Sequence, residues 1–582
     1  MRGYAYLVLS LAAVLGLAWA AAGCGKQSSV SPPAQVVVPG DKLPPPSALK
    51  DLLAVPWDQR HLYLPVWEPV STSGTQLVEA GLQFDPGANN IAWAIYGFYS
   101  SDPAYMGAGM RGSGDLWLLL PDYELDKWVN ATPLIGGAAR DWGFDIANPF
   151  SGSSETYVAV VCPAGGSGVL TEVMGYGGSD LPWDVRHVSP DGDDANDGDT
   201  LPWRTLQHAA DVAQPNMRIE VEPGDYAGFR LEHSGSPGAP IWFYAKPGVT
   251  ITPQTPDEAF GINLETQPIG VKHVVIEGFS ISGFMYTGIR IAGYENMLAE
   301  NITIYNCSCD NNGSQGLFAA FAQNLVVEAC TFSNSAAGHG VQISVSGDYP
   351  VIRGNSCFQN SANGIYLNGD ASLGGDGLIS NALIENNVCH DNGSAGGSGI
   401  QCDGAPGAVI INNLLYGNHG SGITLCQIDA SAASIGCLVA NNTIWMAADG
   451  RWCLSIQNAS TGAQVYNNIL LNANPARGAI DLAADCLPGL DSDYNAVADR
   501  FNQDFTTMSL AEWRLATAQD QNSFAAVADG MFLDALSDDF RLNPFSPALD
   551  TGSALVAVER DLRGLPRPQG VAFDIGAYEW IP

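Results

Sequence analysis

The chain has 582 residues, of which 60 are acidic and 24 basic, giving a formal net charge of −36. That excess, with no basic patch to interrupt it, excludes nucleic acid as a partner. It also repels a long anionic glycan unless bound Ca²⁺ or a local arginine cluster reverses the field.

The N-terminus reads as an export signal. Arg2 precedes an apolar stretch that ends in Ala21-Ala22-Gly23-Cys24. Small residues at that point mark a cleavage site. Residues 1–23 also resemble a bacterial lipoprotein signal, which implies lipidation of Cys24, export to the cell surface or periplasmic face, and a membrane anchor. Ala21 stands where that pattern has Leu. The alternatives are a secreted protein and a membrane-spanning helix. Residues 24–47 are rich in Ser and Pro, as in an extended linker.

Residues 48–180 read as a separate β-sandwich. Apolar, aromatic-rich runs at 90–98, 115–120 and 155–161 are separated by Gly, Pro, Asn and Asp turns. Six of the chain's 14 tryptophans lie here: Trp57, Trp67, Trp93, Trp117, Trp128 and Trp142. They either fill a core or stack on sugar rings.

A new unit begins near residue 185 and runs to the end. An acidic run, Asp191, Asp193, Asp194, Asn196, Asp197 and Asp199, has the composition of a Ca²⁺ loop without EF-hand spacing. Asp191, Asp193, Asp197 and Asp199 are the candidate metal ligands; a solvated acidic turn is the alternative. Thr205 then caps a helix over 206–213, whose apolar positions 206, 209, 210 and 213 share one face. A helix there suits the open end of a solenoid, which otherwise exposes core and unpaired strand edges.

Beyond it the sequence repeats. Asn301, Asn355, Asn387, Asn413, Asn442 and Asn468 each precede a short apolar strand, at gaps of 54, 32, 26, 29 and 26, with Ala329 filling the middle of the first gap. A second column follows at Asn306, Asn334, Asn360, Asn392 and Asn418. A period in this range means stacked coils. Asn amides stacked in register can hydrogen-bond in a row, and Asn tolerates the left-handed backbone of a corner. Cys330, Cys357 and Cys389 recur at neighbouring places and read as buried fillers rather than disulfide partners.

The opening of this unit (VSPDGDDANDGDTLPWRTLQHAADVA, then IEVEPGDYAG and GSPGAPIWFYAKPGVTI) resembles the right-handed parallel β-helix proteins of the pectate-lyase-like superfamily. The closing segments RLNPFSPALDTGS, DLRGLPRP and FDIGAYEW are similar to those of many exported bacterial β-helix proteins. The resemblance implies an all-β right-handed parallel β-helix over 185–582, with an N-terminal α-helical cap. It implies less about activity, because such segments accompany many functions.

Each repeat carries a second strand that starts at a glycine: Gly288, Gly316, Gly340, Gly364, Gly399 and Gly422. Alternation along these strands turns Arg290, Phe318, Gln342, Tyr366, Gln401 and Thr424 outward, about 4.8 Å apart from rung to rung. His339 stands just before its glycine, Asn368 two residues beyond Tyr366, and Asp403 and Asp370 near the strand ends. Three readings of this face stay open. In a β-eliminating lyase, His339 or Tyr366 is the base, and Arg290, or Ca²⁺ held by Asp370 and Asp403, neutralises a uronate carboxylate. In a glycoside hydrolase, Asp370 and Asp403 are the carboxylate pair. In either enzyme Gln342, Asn368, Gln401 and Phe318 bind the extended polysaccharide substrate; glycan processing at the cell surface is the leading expectation, and a non-catalytic glycan-binding, adhesive or structural surface protein is the alternative. His339 in Gly-His-Gly also resembles a motif of polygalacturonase-type hydrolases, without their companion Asp motifs, and Lys272 resembles the lysine base of Ca²⁺-using pectate lyases. A monomer is expected.

Overall fold

A computed structural model of the chain describes residues 184–581, apart from 237–239, 268, 557, 559 and 566, and separate stretches between 64 and 177. The signal, Cys24 and the linker lie outside the described residues. Among those residues, no helix is long and apolar enough to cross a membrane.

Between 64 and 177 the strands form a 6-stranded and a 5-stranded sheet, paired antiparallel throughout. Leu82, Phe84, Tyr96, Met110, Leu118, Val160 and Leu170 from both sheets share one buried cluster. Trp117 is buried as well, as a core reading of that tryptophan requires.

From Asp184 the chain winds as a parallel β-helix. Three long parallel sheets run along it. The first spans strands Asp184–Val188 to Asp491–Asp493, the second Gly224–Tyr226 to Phe524–Ala525, and the third begins at Phe229–Leu231. Each coil contributes one strand to each sheet. Ile352, Ile384 and Ile410 stack inside the first sheet, and Ile365, Ile400 and Ile423 inside the third; all are fully buried. Branched residues suit this position, since a parallel sheet's inner face is packed without solvent. The helix Leu206–Val212 is capped by the Thr205 side chain, which accepts from the His208 amide, and Leu206, Ala209 and Ala210 join the core of the first coils.

The corner between the first and second sheets divides two tasks between adjacent residues. Asn386, Asn412, Asn441 and Asn467 take positive φ, between 52° and 57°, and make the turn. The next residue points inward and forms the ladder: Asn355 donates to Asn387 at 3.0 Å, and the row continues through Asn413, Asn442, Asn468 and Asn495. Each ladder carbonyl also takes the preceding rung's backbone amide. Every Nδ2 points the same way along the row, so the last asparagine needs an acceptor. Asn495 finds it in the buried Asp520.

Register corrects two sequence expectations. Asn301 lies outside this row, and the slot before Asn355 belongs to Cys330 rather than Ala329. Ala329 instead takes the turn position, at φ 53°. Cys307 and Cys330 have no amide to pass on, which is why the row starts at Asn355. In the second row, Asn360, Asn392 and Asn418 form a ladder, whereas Asn306 and Asn334 are left-handed turn residues. Cys357 and Cys389 are stacked fillers as expected; their column continues to Phe332 and Cys309, and Cys330 sits at the corner. All eleven described cysteines are buried and unpaired.

A second helix, Leu510–Thr517, was not anticipated from the sequence. Its capping box of Ser509 and Glu512 is a readable signal. Buried Trp513 stacks on Phe501 and donates to Asp520, so the helix lies against the last coils. The segment after it covers the second sheet with Phe532, Phe540 and Ile575. It is tied to the turn asparagines: Asn441 donates to the Asp574 carbonyl, Asn467 to the Ser553 carbonyl, and Arg567 to Asn412. Arg567 also pairs with Glu579 at 2.9 Å, with both side chains fully buried.

Candidate functional site on the third sheet

Alternation in the third sheet turns one side chain per coil outward. The register runs Asn263, Arg290, Phe318, Gln342, Tyr366, Gln401, Thr424, Ser455, Asp481 and Asn502. Ser455 is buried, and the others are half-buried by their neighbours. Most of them are tied along the sheet.

At one end Arg290 pairs with Glu265 at 2.7 Å, donates to Asn263 at 3.0 Å and lies over the Phe260 ring. Tyr294 adds a hydrogen bond to Glu265 at 3.0 Å. Burial works to raise the Glu265 pKa, but Arg290, Tyr294 and Asn263 together outweigh it and hold the carboxyl low. Arg290 therefore already has its anion. It also stands three rungs from Tyr366, about 14 Å away at sheet spacing.

In the middle, Thr287 donates to Gln315, Gln315 to Gln342, and Gln342 to Ser344. One rung on, the His339 ring sits 4.8 Å from that of Tyr366. The Asn363 amide donates to His339 Nδ1 at 3.1 Å. Burial lowers the His339 pKa to about 4, so the ring is neutral near pH 7 and its one proton belongs on Nε2. Nε2 then donates and cannot act as a base. Tyr366 donates to Asn368 at 2.7 Å. Burial, reinforced by Asp403, Cys426, Asp429 and Asp370, raises its pKa, the wrong direction for a phenolate base.

The two candidate carboxylates do not face a common cleft. Asp403 is fully buried and accepts from the backbone amides of Ile428 and Asp429, at 2.6 and 3.1 Å. Burial raises its pKa against those hydrogen bonds. Asp370 caps the 3-10 turn Ala371–Leu373 through Ser372. Further along, Gln401 reaches only the Cys426 sulfur, and Thr424 bonds Ser398. Asp481 receives Gln457 and Asn502.

The fold thus brings together His339, Tyr366, Asn368 and Gln342, with Gln401 one rung further; Arg290, Asp370 and Asp403 are spent elsewhere. Asn263, Glu265, Tyr294 and Asp481 belong to the face but escaped sequence reading. Continuing the strand alternation to Ile480-Asp481-Leu482 would have found the last. Lys272 is on the first sheet, paired with Glu300.

In the acidic turn near the N-terminal end of the coil, Asp193, Asp197 and Asp199 have partners of their own. Asp197 accepts the amides of Asp199, Thr200 and Leu201, Asp193 accepts that of Ala195, and Asp199 approaches Arg186. Asp194, outside the expected ligand set, accepts the Arg204 and Thr205 amides and the Thr205 hydroxyl. Among the described residues, no group of three or more His, Cys, Asp or Glu side chains gathers to hold a metal. The acidic turn therefore does not assemble the expected Ca²⁺ site.

A family match agrees with the parallel coil. The family described as "Right handed beta helix region" matches residues 259–374. The uncharacterized protein YwoF of Bacillus subtilis is 25% identical over 447 residues, which cover 63% of this chain and 92% of that one. Among solved structures, pectate lyase Pel9A is similar at 18% identity and a TM-score of 0.48, over 68% of this chain and 96% of that one. A rhamnogalacturonan lyase is similar at 16% identity and a TM-score of 0.40, over 66% and 99% respectively.

Proposed function

We propose that this protein acts outside the cell and binds an extended polysaccharide along its third sheet. The observation that carries the reading is the outward row through Phe318, Gln342, Tyr366 and Gln401, which repeats once per coil and offers aromatic faces and amides. His339 Nε2 and the Asn368 amide add donors beside Tyr366. Such a row suits sugar hydroxyls and ring faces spread over several units. Export through residues 1–23, lipidation at Cys24 and an accessory sandwich over 48–180 complete the proposal, with the linker holding the coil away from the membrane. Two or more acyl chains would make the anchor firm. The protein acts as a monomer.

The lyase and hydrolase readings fit less well. Each candidate base or acid already has a partner: Asn363 for His339, Asn368 for Tyr366, Glu265 for Arg290, and backbone amides for Asp403.

Affinity electrophoresis through gels containing neutral or uronate polysaccharides tests the binding reading. Retardation by at least one polymer is expected, weakened by Gln342→Ala and Tyr366→Ala. Failure of every polymer to retard the protein sinks it. Release of unsaturated uronate or new reducing ends from any polymer would reinstate catalysis. Radiolabelled palmitate entering the wild type but not Cys24→Ser tests the anchor.

A further inference from the structure

A second site lies on the other side of the coil. In the second sheet Trp445 pairs with Leu471, and Ala498 and Ala526, each one residue beyond the paired Val497 and Ala525, line the same cavity. Large side chains followed by alanines leave a hollow, which Val527, Ala528 and residues 472–475 also line. The cavity is about 420 Å³, the size of a small-ligand pocket.

Its charge is unusual for this chain. The described cations are mostly committed: Arg290, Arg353, Arg567, Lys246 and Lys272 all sit in ion pairs. Arg477 and Arg500 line this cavity and have no carboxylate partner among the described residues. Arg477 leans on the Trp452 ring at 5.9 Å. Neighbouring Asn472 and Asn474 donate to the carbonyls of Arg451 and Gly450 and so brace the wall rather than serve a ligand. The one acidic lining residue, Asp499, accepts the Leu510 amide on Oδ1.

The geometry points to a pocket for one acidic sugar unit. Its carboxylate lies against Arg477 and Arg500, which suit a planar anion. Its apolar ring face packs on Trp445 and the alanine floor. A hydroxyl donates to Asp499 Oδ2. Two local cations would overcome the repulsion that a net charge of −36 otherwise imposes. This site is independent of the third-sheet face.

Isothermal titration of the full chain with galacturonate, with galactose and with inorganic sulfate tests it. Galacturonate is expected to bind at least about tenfold more tightly than galactose, since it adds charge-assisted hydrogen bonds. Arg477→Ala/Arg500→Ala should weaken galacturonate about tenfold or more. Ala498→Leu, which fills the floor and keeps both arginines, should abolish galacturonate binding while sulfate still binds. Tyr366→Ala, on the other sheet, should change nothing, which separates this site from the polysaccharide face. Equal binding of galactose, a double variant within about twofold of the parent, or Ala498→Leu leaving galacturonate unaffected overturns the proposal. Circular dichroism verifies that each variant is folded.

Discussion

Substituting two adjacent asparagines should have unequal consequences, because the corner gives them different work. Asn387 is fully buried. Its Oδ1 accepts the Asn355 backbone amide and side chain, both at 3.0 Å, and its Nδ2 donates to the Ile352 carbonyl at 2.8 Å and to Asn413 at 3.0 Å. Asn387→Ala orphans the Asn355 backbone amide and removes one of the hydrogen bonds to the Ile352 carbonyl. The Asn355 side chain keeps the Val327 carbonyl, and Asn413 keeps the Asn387 backbone amide. One buried amide left unpaired costs about 1–3 kcal/mol, and a loss of that size is expected. Asn386, one residue earlier, holds φ 57°, and its Oδ1 has no hydrogen-bond partner. Asn386→Gly relieves the left-handed backbone and should fall within about 0.5 kcal/mol of the parent. Guanidinium denaturation followed by circular dichroism measures both. Hydrogen exchange at residues 352–358 and 383–390 checks that the loss is local to the ladder, as nearest-neighbour coupling in a solenoid requires. If Asn387→Ala costs less than about 0.5 kcal/mol, or Asn386→Gly costs as much as Asn387→Ala, the ladder is not what holds the corner.

His339 should make stability pH-dependent. Its folded pKa of about 4 lies below the ordinary value of 6.5. The unfolded chain therefore binds the proton more readily, and the contribution is whole above pH 6.5 and lost toward pH 4. The span is worth up to about 3 kcal/mol. His339→Gln should flatten that part of a stability–pH profile; an unchanged slope refutes the burial argument. Glu579→Gln leaves buried Arg567 without its ion-pair partner, at a cost of about 3 kcal/mol. Exchange protection should then fall over residues 548–579 and hold over 300–430; uniform loss would mean that the closing segment does not pack as a unit. The eleven described thiols should resist a thiol reagent in the native state and react together on unfolding, since each is buried. Rapid native labelling of Cys357 or Cys389 would contradict their place inside the coil.

What the sequence determined by itself is periodic. Repeating asparagines, glycine-led strands and inward branched residues specify a stacked parallel coil, because each rung buries its apolar face only against the next rung. The strand alternation also named most of the outward row correctly, from Arg290 to Thr424. Registration between rungs was not legible. Asn301 and Asn355 look equivalent in a spacing count, yet pairing puts Cys330 in the ladder slot and Ala329 in the turn. A shift of one residue exchanges a buried donor for a left-handed corner, and only the inter-strand hydrogen bonds fix it. The site shows the same division. Sequence gathered His339, Tyr366, Arg290, Asp370 and Asp403 as chemistry-bearing types on neighbouring coils. The tertiary structure decided which of them remain available, since Glu265 claims Arg290, the 428–429 amides bury Asp403, and Asn363 fixes the His339 proton on Nε2. Those partners come from other rungs and loops, so no window of sequence contains them.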